Sequence, residues 1–519
     1  MLTKSYNSQN IYALILLIII SIITSYITYT YLLYTGKIEI EPTFPNDKCI
    51  KTPKEILKEM GPGICIGNSL EAEFGETFWG NPYITQKIIG GFMSRGIKAF
   101  RIPIRWDDKL IDENKYIINP KFLKRIQQVI NYIYNRGGYV IINTHHSKYE
   151  RNIAKDIKNN KIRLTTYWKQ ISEYFKSYGD RLIFELWNEP VEDKNWCGYQ
   201  YYSLLVNEYN EIMLETIRKT GGNNIKRLII IPPYAGNGNL VSLVNFKFPI
   251  YDKFTAASIH MYRPSGFVDG WHKILTKQKQ SDMFFVFRLI KEYLYDKNIP
   301  IVISEFGARD NDNLNERIKF TKIVSQFSHS MNAPCFYWDD GLKKNKKTFG
   351  IFDRNKKIWV YPEINDVIVD EYNHEPMKIE DLPFYENITS NPYFITNITH
   401  DDNWYSPKPF IRTFTIVILF GCEFSTFNPY WFTPKGILSF EFFSNEYAFN
   451  QVLIETVQNH TFYNVHFSVE KLGNGNFLGK VNYWDMVKQY DKIIDYRYIR
   501  FYSNDSETEV FNSTYTIYE

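Results

Sequence analysis

Cysteine is scarce. Five residues (Cys49, Cys65, Cys197, Cys335 and Cys422) are scattered over 519 positions, and no C-x-x-C pair occurs. That excludes a disulfide framework and a zinc site built on paired cysteines. The odd count leaves at least one thiol without an intramolecular partner. A charge imbalance is lacking too: 61 Lys and Arg stand against 57 Asp and Glu, a net +4, with no dense basic cluster. No nucleic-acid partner is therefore implied. No G-x-G-x-x-G follows the first strand-like run, which removes the usual phosphate signal of a doubly wound nucleotide fold. There are no internal repeats. Between Lys4 and Lys37 there is no charged residue at all.

That uncharged stretch is the first positive signal. Residues 11–34, IYALILLIIISIITSYITYTYLLY, exceed the ~20 apolar residues that span a bilayer. A cleaved signal peptide has a shorter apolar core and an A-x-A-like site, but here Ala13 is the only alanine, at the start of the run. The expectation is an N-terminal transmembrane helix within residues 1–36, an uncleaved signal anchor, with a cleaved peptide as the alternative. Lys4 precedes the run and Glu39 and Glu41 follow it, which places the N-terminus in the cytoplasm and the bulk of the chain outside. Five N-x-[ST] sequons, at Asn387, Asn397, Asn459, Asn504 and Asn512, fit passage through a secretory lumen. The expected location is the secretory pathway, anchored with the catalytic region lumenal or extracellular, or secreted if the segment is cut.

Hydrophobic residues at 44% and charged residues at 23% describe a globular chain. Aromatics reach 17%. The excess suits stacking on flat ligands, and it equally suits a coding bias. Over residues 45–372, eight apolar runs alternate with helical patterns: GICIGNS (63–69), AFRIPI (99–104), YVIINTHH (139–146), LIFELW (182–187), RLIIIPP (227–233), AASIHMY (256–262), PIVISEFG (300–307) and APCFYWDDG (333–341). Continuous apolar runs are what parallel strands buried on both faces require. Between them, Asn119 reads as an N-cap, Pro120 as the first helical residue and Gly137 as the stop. Phe122, Ile126, Val129, Ile130 and Ile133 share a face of that helix, and Leu164, Trp168, Ile171, Phe175 and Tyr178 share a face of the next. A third helix runs from about Tyr201 to Lys219, before Gly221-Gly222. Eight strand–helix units predict an α/β fold, a TIM (β/α)8 barrel. Residues 373–404, with three prolines, read as a linker. Residues 405–519 read as an all-β sandwich, with strands near 410–421, 436–443, 463–472 and 496–503 and alternation at Val465, Phe467 and Val469.

A TIM barrel presents reactive groups at the C-terminal ends of its strands. Polar residues there are Asn68, His145, His146, Asn188, Glu189, His260, Tyr262, Glu305 and Trp338, and Arg101 opens the second strand. A single strand-end Glu is commonly a helix-start charge. Two such Glu, each closing an apolar run, make a joint case for glycosidic bond cleavage, one as nucleophile and one as acid then base. That chemistry needs divergent protonation. Arg101 would keep a nucleophile ionised. His145 and His146, adjacent on a strand, would point to opposite faces and not share a metal; no metal or cofactor is expected. Trp338 reads as core filler or as a sugar-stacking floor. Pro190 is expected to end the strand that delivers Glu189.

In order, RIPIRW (101–106), NTHH (143–146), LWNEP (186–190), SIHMY (258–262), SEFG (304–307) and FYWDDG (336–341) resemble glycoside hydrolase family 5. IGNSLEAEFGETFWGNP (66–82) resembles its subfamily 4, dominated by endo-β-1,4-glucanases. The resemblance covers about residues 50–372. It implies retaining double displacement, with Glu189 as acid/base and Glu305 as nucleophile. It further implies substrate or nucleophile support from Asn68, Arg101, His145, Asn188, His260, Tyr262 and Trp338, with His146 and Trp79 lining the cleft. The implied partner is a β-glucan polysaccharide, with xyloglucan or β-mannan as alternatives and an inactive carbohydrate-binding protein as the rival class. One departure is Ile64-Cys65-Ile66, where the subfamily carries an aromatic or Asn, a change expected to bear on cleft width. In the C-terminal region Trp404, Trp431 and Trp484 read either as a polysaccharide platform or as sandwich core.

Overall fold

The computed structural model describes residues 44–386 apart from 194–195, 197–199 and 342–346, seven helical residues between 17 and 25, and strands from residue 395 onward. Residues 45–519 form one unit and residues 1–44 another. The expected anchor at 11–34 lies mostly outside the described residues. Among those described, no helix is long and apolar enough to cross a membrane.

Eight parallel strands close into a barrel: β1 (Gly63–Ile66), β2 (Ala99–Ile102), β3 (Tyr139–Ile142), β4 (Leu182–Glu185), β5 (Ile229–Ile231), β6 (Thr255–Met261), β7 (Ile301–Phe306) and β8 (Cys335–Asp339). Each pairs with its sequence neighbours, and β8 pairs back onto β1, Gly63 opposite Phe336. All eight apolar runs became barrel strands. Their residues are buried throughout, as strands sandwiched between barrel interior and helices must be.

A helix follows each strand: α1 (Gln86–Met93), α2 (Pro120–Tyr134), α3 (Ile157–Tyr174), α4 (Gln200–Lys219), α5 (Leu240–Val244), α6 (Lys277–Ile290), α7 (Leu314–Ser330) and α8 (Pro362–Tyr372). The start of α2 follows its sequence signals. Asn119 accepts from the Lys121 N–H at 2.9 Å, and Pro120 occupies the first helical position, where a missing N–H costs nothing. Ile126, Val129, Ile130 and Ile133 are buried, with Phe122 packed partly exposed at the edge. Leu164, Trp168, Ile171, Phe175 and Tyr178 are all buried.

The stretch read as a linker carries packed structure at its start. Ile379, Leu382 and Phe384 are buried, and the Phe384 ring stacks on Phe284 at 5.3 Å. Beyond it, among the described residues, nine strands form two antiparallel sheets, one of five strands and one of four. Arg412–Leu419, Gly436–Phe443 and Tyr498–Ser503 fall on runs read as strands; the run read as one strand at 463–472 holds parts of two, Phe462–Asn464 in the larger sheet and Ser468–Gly473 in the smaller. Ile395–His400 is a strand of the larger sheet and lies inside the expected linker. Val465, Phe467, Trp404, Trp431 and Trp484 lie outside the described residues.

Candidate active site

The barrel interior is charged at its centre. Arg101 on β2 is fully buried and its guanidinium reaches three elements: Nε to Glu185 at 2.6 Å, Nη1 to Glu305 at 2.5 Å and Nη2 to Asn188 Oδ1 at 2.9 Å. Burial opposes the Arg101 charge, and Glu185 and Glu305 outweigh it, holding the group ionised. Glu185 also accepts from Asn143 Nδ2 at 2.9 Å and Ser258 Oγ at 2.8 Å. These groups come from five strands or their ends, β2, β3, β4, β6 and β7, so the network exists only when the barrel is closed.

Above this layer stand the two carboxylates singled out from the sequence. Glu305, on β7, lies beside His260 of β6 in the strand register. Glu189 follows β4. One carboxylate oxygen from each and a ring nitrogen of His260 all lie within 4.8 Å of one another. His260 Nδ1 is 3.0 Å from Glu189 Oε1 and 3.6 Å from Glu305 Oε2. Tyr262 donates its hydroxyl to Glu305 Oε2 at 3.0 Å. Among the described residues this trio alone brings three potential ligand atoms close enough to hold a metal ion.

The trio titrates as a unit. Burial opposes a charge on His260, but Glu305 and Glu189 raise its proton affinity above the ordinary histidine range. Burial raises Glu189, and the hydrogen bond and charge of His260 more than reverse it, bringing the carboxyl down to about 2. Burial pushes Glu305 up, against the pull of His260 and Arg101. His260 lies between the two carboxyls and lowers the proton affinity of each.

His145 stacks on Trp338, rings 5.6 Å apart and 8° from parallel, and His146 meets Trp79 at 5.8 Å. The two histidines do not point to opposite faces. β3 ends at Ile142, so strand alternation has stopped, and the left-handed backbone of His146 (φ 56°) turns its ring edge-on to His145 at 4.2 Å. Burial, with His146 and Arg101 beside it, holds His145 well below the ordinary range. Burial and Arg151 bring His146 down to about 4. Both rings are neutral at pH 7.

Trp338 is nearly buried, its ring tight against β1. A Cβ at Gly67 would sit 2.6 Å from it, so glycine permits that approach. Asn68 reaches this region through its backbone: its N–H bonds Glu71 and its carbonyl accepts from Asn81 at 2.9 Å. Cys65 faces the barrel interior, Sγ 3.3 Å from the Ser304 carbonyl and 4.0 Å from Arg101 Nη1, so the Ile64-Cys65-Ile66 departure lies under the site and not in a cleft wall. Pro190 does not end β4. The ladder stops at Glu185, and Leu186 N–H still bonds the Ile230 carbonyl at 3.0 Å; the chain then leaves the barrel rim.

Glu185, Asn143, Ser258 and Arg151 were not singled out from the sequence. The signal for Glu185 was present, a carboxylate amid the apolar run Leu182-Ile183-Phe184-Glu185-Leu186-Trp187. Such a group is costly to bury unless paired, and its partner Arg101 is 84 positions away.

The family model for cellulase, glycosyl hydrolase family 5, matches residues 66–344. The chain belongs to glycosyl hydrolase family 5. Among relatives in that family, Endoglucanase A of Clostridium longisporum is 34% identical over 359 residues, 64% of this chain and 68% of that protein. Endoglucanase B of Neocallimastix patriciarum is 33% identical, covering 60% of this chain and 70% of that one. A solved broad-specificity endoglucanase of subfamily 4, from Clostridium cellulovorans, superposes with a TM-score of 0.61 at 32% identity, over 64% of this chain and 99% of that one. A xyloglucan-specific endo-β-1,4-glucanase solved with cellotriose gives 0.58 at 31%, over 61% and 98%. The family 5 match confines itself to the barrel; the two C-terminal sheets lie beyond it.

Proposed function

We propose that this family 5 glycoside hydrolase is an endo-β-1,4-glucanase that cleaves β-linked polysaccharide with retention. The observation that carries the reading is the meeting of Glu189 and Glu305 across His260, their nearest oxygens within 4.8 Å. Retaining enzymes hold their carboxyls about 5–5.5 Å apart, whereas inverting ones leave room for a water. Glu305 is the nucleophile. Arg101 favours its ionised form and Tyr262 fixes Oε2, so one lone pair stays aimed at the anomeric carbon. Glu189 is the acid/base. It gives its proton to the leaving oxygen and recovers one when it deprotonates the attacking water, with His260 Nδ1 at 3.0 Å in reach to exchange that proton. Asn188, Asn68, His145, His146, Trp79 and Trp338 bind and stack the sugar.

Glu305→Ala should abolish reducing-sugar release from carboxymethylcellulose, a fall of at least about 10³-fold. Equal release by wild type and variant would sink the assignment. Likeness to the xyloglucan-specific enzyme favours xyloglucan as a second substrate. Initial rates on cellulose, xyloglucan and mannan would rank them.

We further infer that the uncharged run at 11–34 anchors the enzyme in the secretory pathway and that the C-terminal sheets form a sandwich that binds polysaccharide. Intact N-terminal sequence on the mature protein supports the anchor; a new N-terminus beyond residue 34 removes it. Replacing Trp404, Trp431 and Trp484 together by Ala should weaken retention on insoluble cellulose, and unchanged retention removes the binding role.

A further inference from the structure

The loops that follow β3 and β4 are stitched together beside the carboxylate pair. Val191 N–H bonds the Glu150 carbonyl at 2.7 Å, Asp193 N–H the Arg151 carbonyl at 3.0 Å, and Ala154 N–H the Glu192 carboxylate at 2.8 Å. Asn152 and Glu192 form an antiparallel bridge. These bonds fix where Arg151 stands relative to Glu189.

Arg151 Nη2 lies 3.8 Å from Glu189 Oε2, and it donates to neutral His146 Nδ1 at 3.4 Å. Its guanidinium carbon stands 4.6 Å over the Trp196 ring, a cation–π seat on the β4 loop. His260 holds the other oxygen of Glu189, Oε1. The two oxygens of the acid/base carboxyl thus face two different bases, one from β6 and one from the β3 loop.

We propose that Arg151 is a positioning residue that orients Glu189 toward the leaving group and favours its carboxylate form. This deepens the proposed function and rests on Glu189 acting as acid/base. The groups facing Glu189 are His260 of β6, Glu305 of β7, Tyr262 beyond β6, His146 beyond β3 and Arg151. His260 is buried, whereas Arg151 is open to solvent, with about a third of its side chain exposed. Its influence is therefore screened, and it is replaceable without emptying the core.

The sign follows from its charge. Arg151 stabilises the anion that serves as base in the second half-reaction, and it opposes the protonated acid needed in the first. Removing it raises the pH at which the acid is lost. In the full-length protein, Arg151→Met should move the basic limb of kcat/KM on carboxymethylcellulose upward by about half to one pH unit. Arg151→Lys, which keeps the charge, should keep the limb within about 0.3 unit of wild type. On 2,4-dinitrophenyl β-cellobioside the leaving group needs no proton, so the limb of Arg151→Met should stay where wild type has it. Should Arg151→Met not fold, Arg151→Gln is read in its place. A limb unmoved on the polysaccharide, or moved equally on both substrates, overturns the proposal. Wild-type activity of Glu189→Gln on the polysaccharide would instead overturn the acid/base reading beneath it.

Discussion

Arg101 shows how much a single residue can settle inside a barrel that excludes water. Its guanidinium plane pairs Glu185 with one edge and Glu305 and Asn188 with the other. Lysine could not reproduce that fork, since its ammonium is a point charge on a flexible stem. Removing the cation leaves two carboxylates facing each other at full burial. Breaking a buried pair from one side costs about 3–5 kcal/mol, because the remaining charge is uncompensated. Arg101→Met should therefore lower the melting temperature and abolish activity together, checked by calorimetry and by reducing-sugar assay. The sequence offered Arg101 as a neutralising partner of a nucleophile. It did not offer Glu185, since nothing along the chain tells a carboxylate in an apolar run which distant cation will meet it.

At the scale of elements, strand ends decide the chemistry. Three loops, after β3, β4 and β6, deliver His146, Glu189 and Tyr262, and each departs from strand geometry once it clears the barrel. That departure is why the two-residue alternation misplaced His145 and His146. Gly67 marks the same transition at β1, where backbone and the Trp338 ring come within the space of a missing side chain. Gly67→Ala must push Trp338 off its stack on His145. Overpacking of this kind costs about 1–3 kcal/mol. The variant should melt lower and show a raised KM with a smaller change in kcat, because the expected defect lies in the sugar floor and not in the carboxylates. Unchanged KM would relieve Trp338 of a binding role.

Across the whole molecule, buried carboxyls outside the catalytic trio tie stability to pH. Burial raises Glu150 to about 8, against the Thr144 hydroxyl bond, and raises Glu71 to about 7, against backbone N–H groups of Ser69 and Asn68. Their folded values lie above the ordinary carboxyl value of 4.5. The folded state therefore binds more protons than the unfolded one between pH 4.5 and about 7 to 8, and stability falls as pH rises through that window. Glu150→Gln cannot ionise and keeps an acceptor for Thr144. Its melting temperature relative to wild type should rise by on the order of 5 °C between pH 5 and pH 9; a constant difference would refute the linkage. Local periodicity and stop signals were enough to specify eight strands, their helices and a family, because each depends on contacts a few residues apart or on a short motif. The packed start of the expected linker, the interior pair of Glu185 and Arg101, the seat of Arg151 over Trp196 and the meeting of Glu189, His260 and Glu305 depend on groups that come together only when the sheet closes. Chain order fixed which residues reach the barrel mouth; closure decided which charges face one another there, because electrostatic coupling follows distance in space and not distance along the chain.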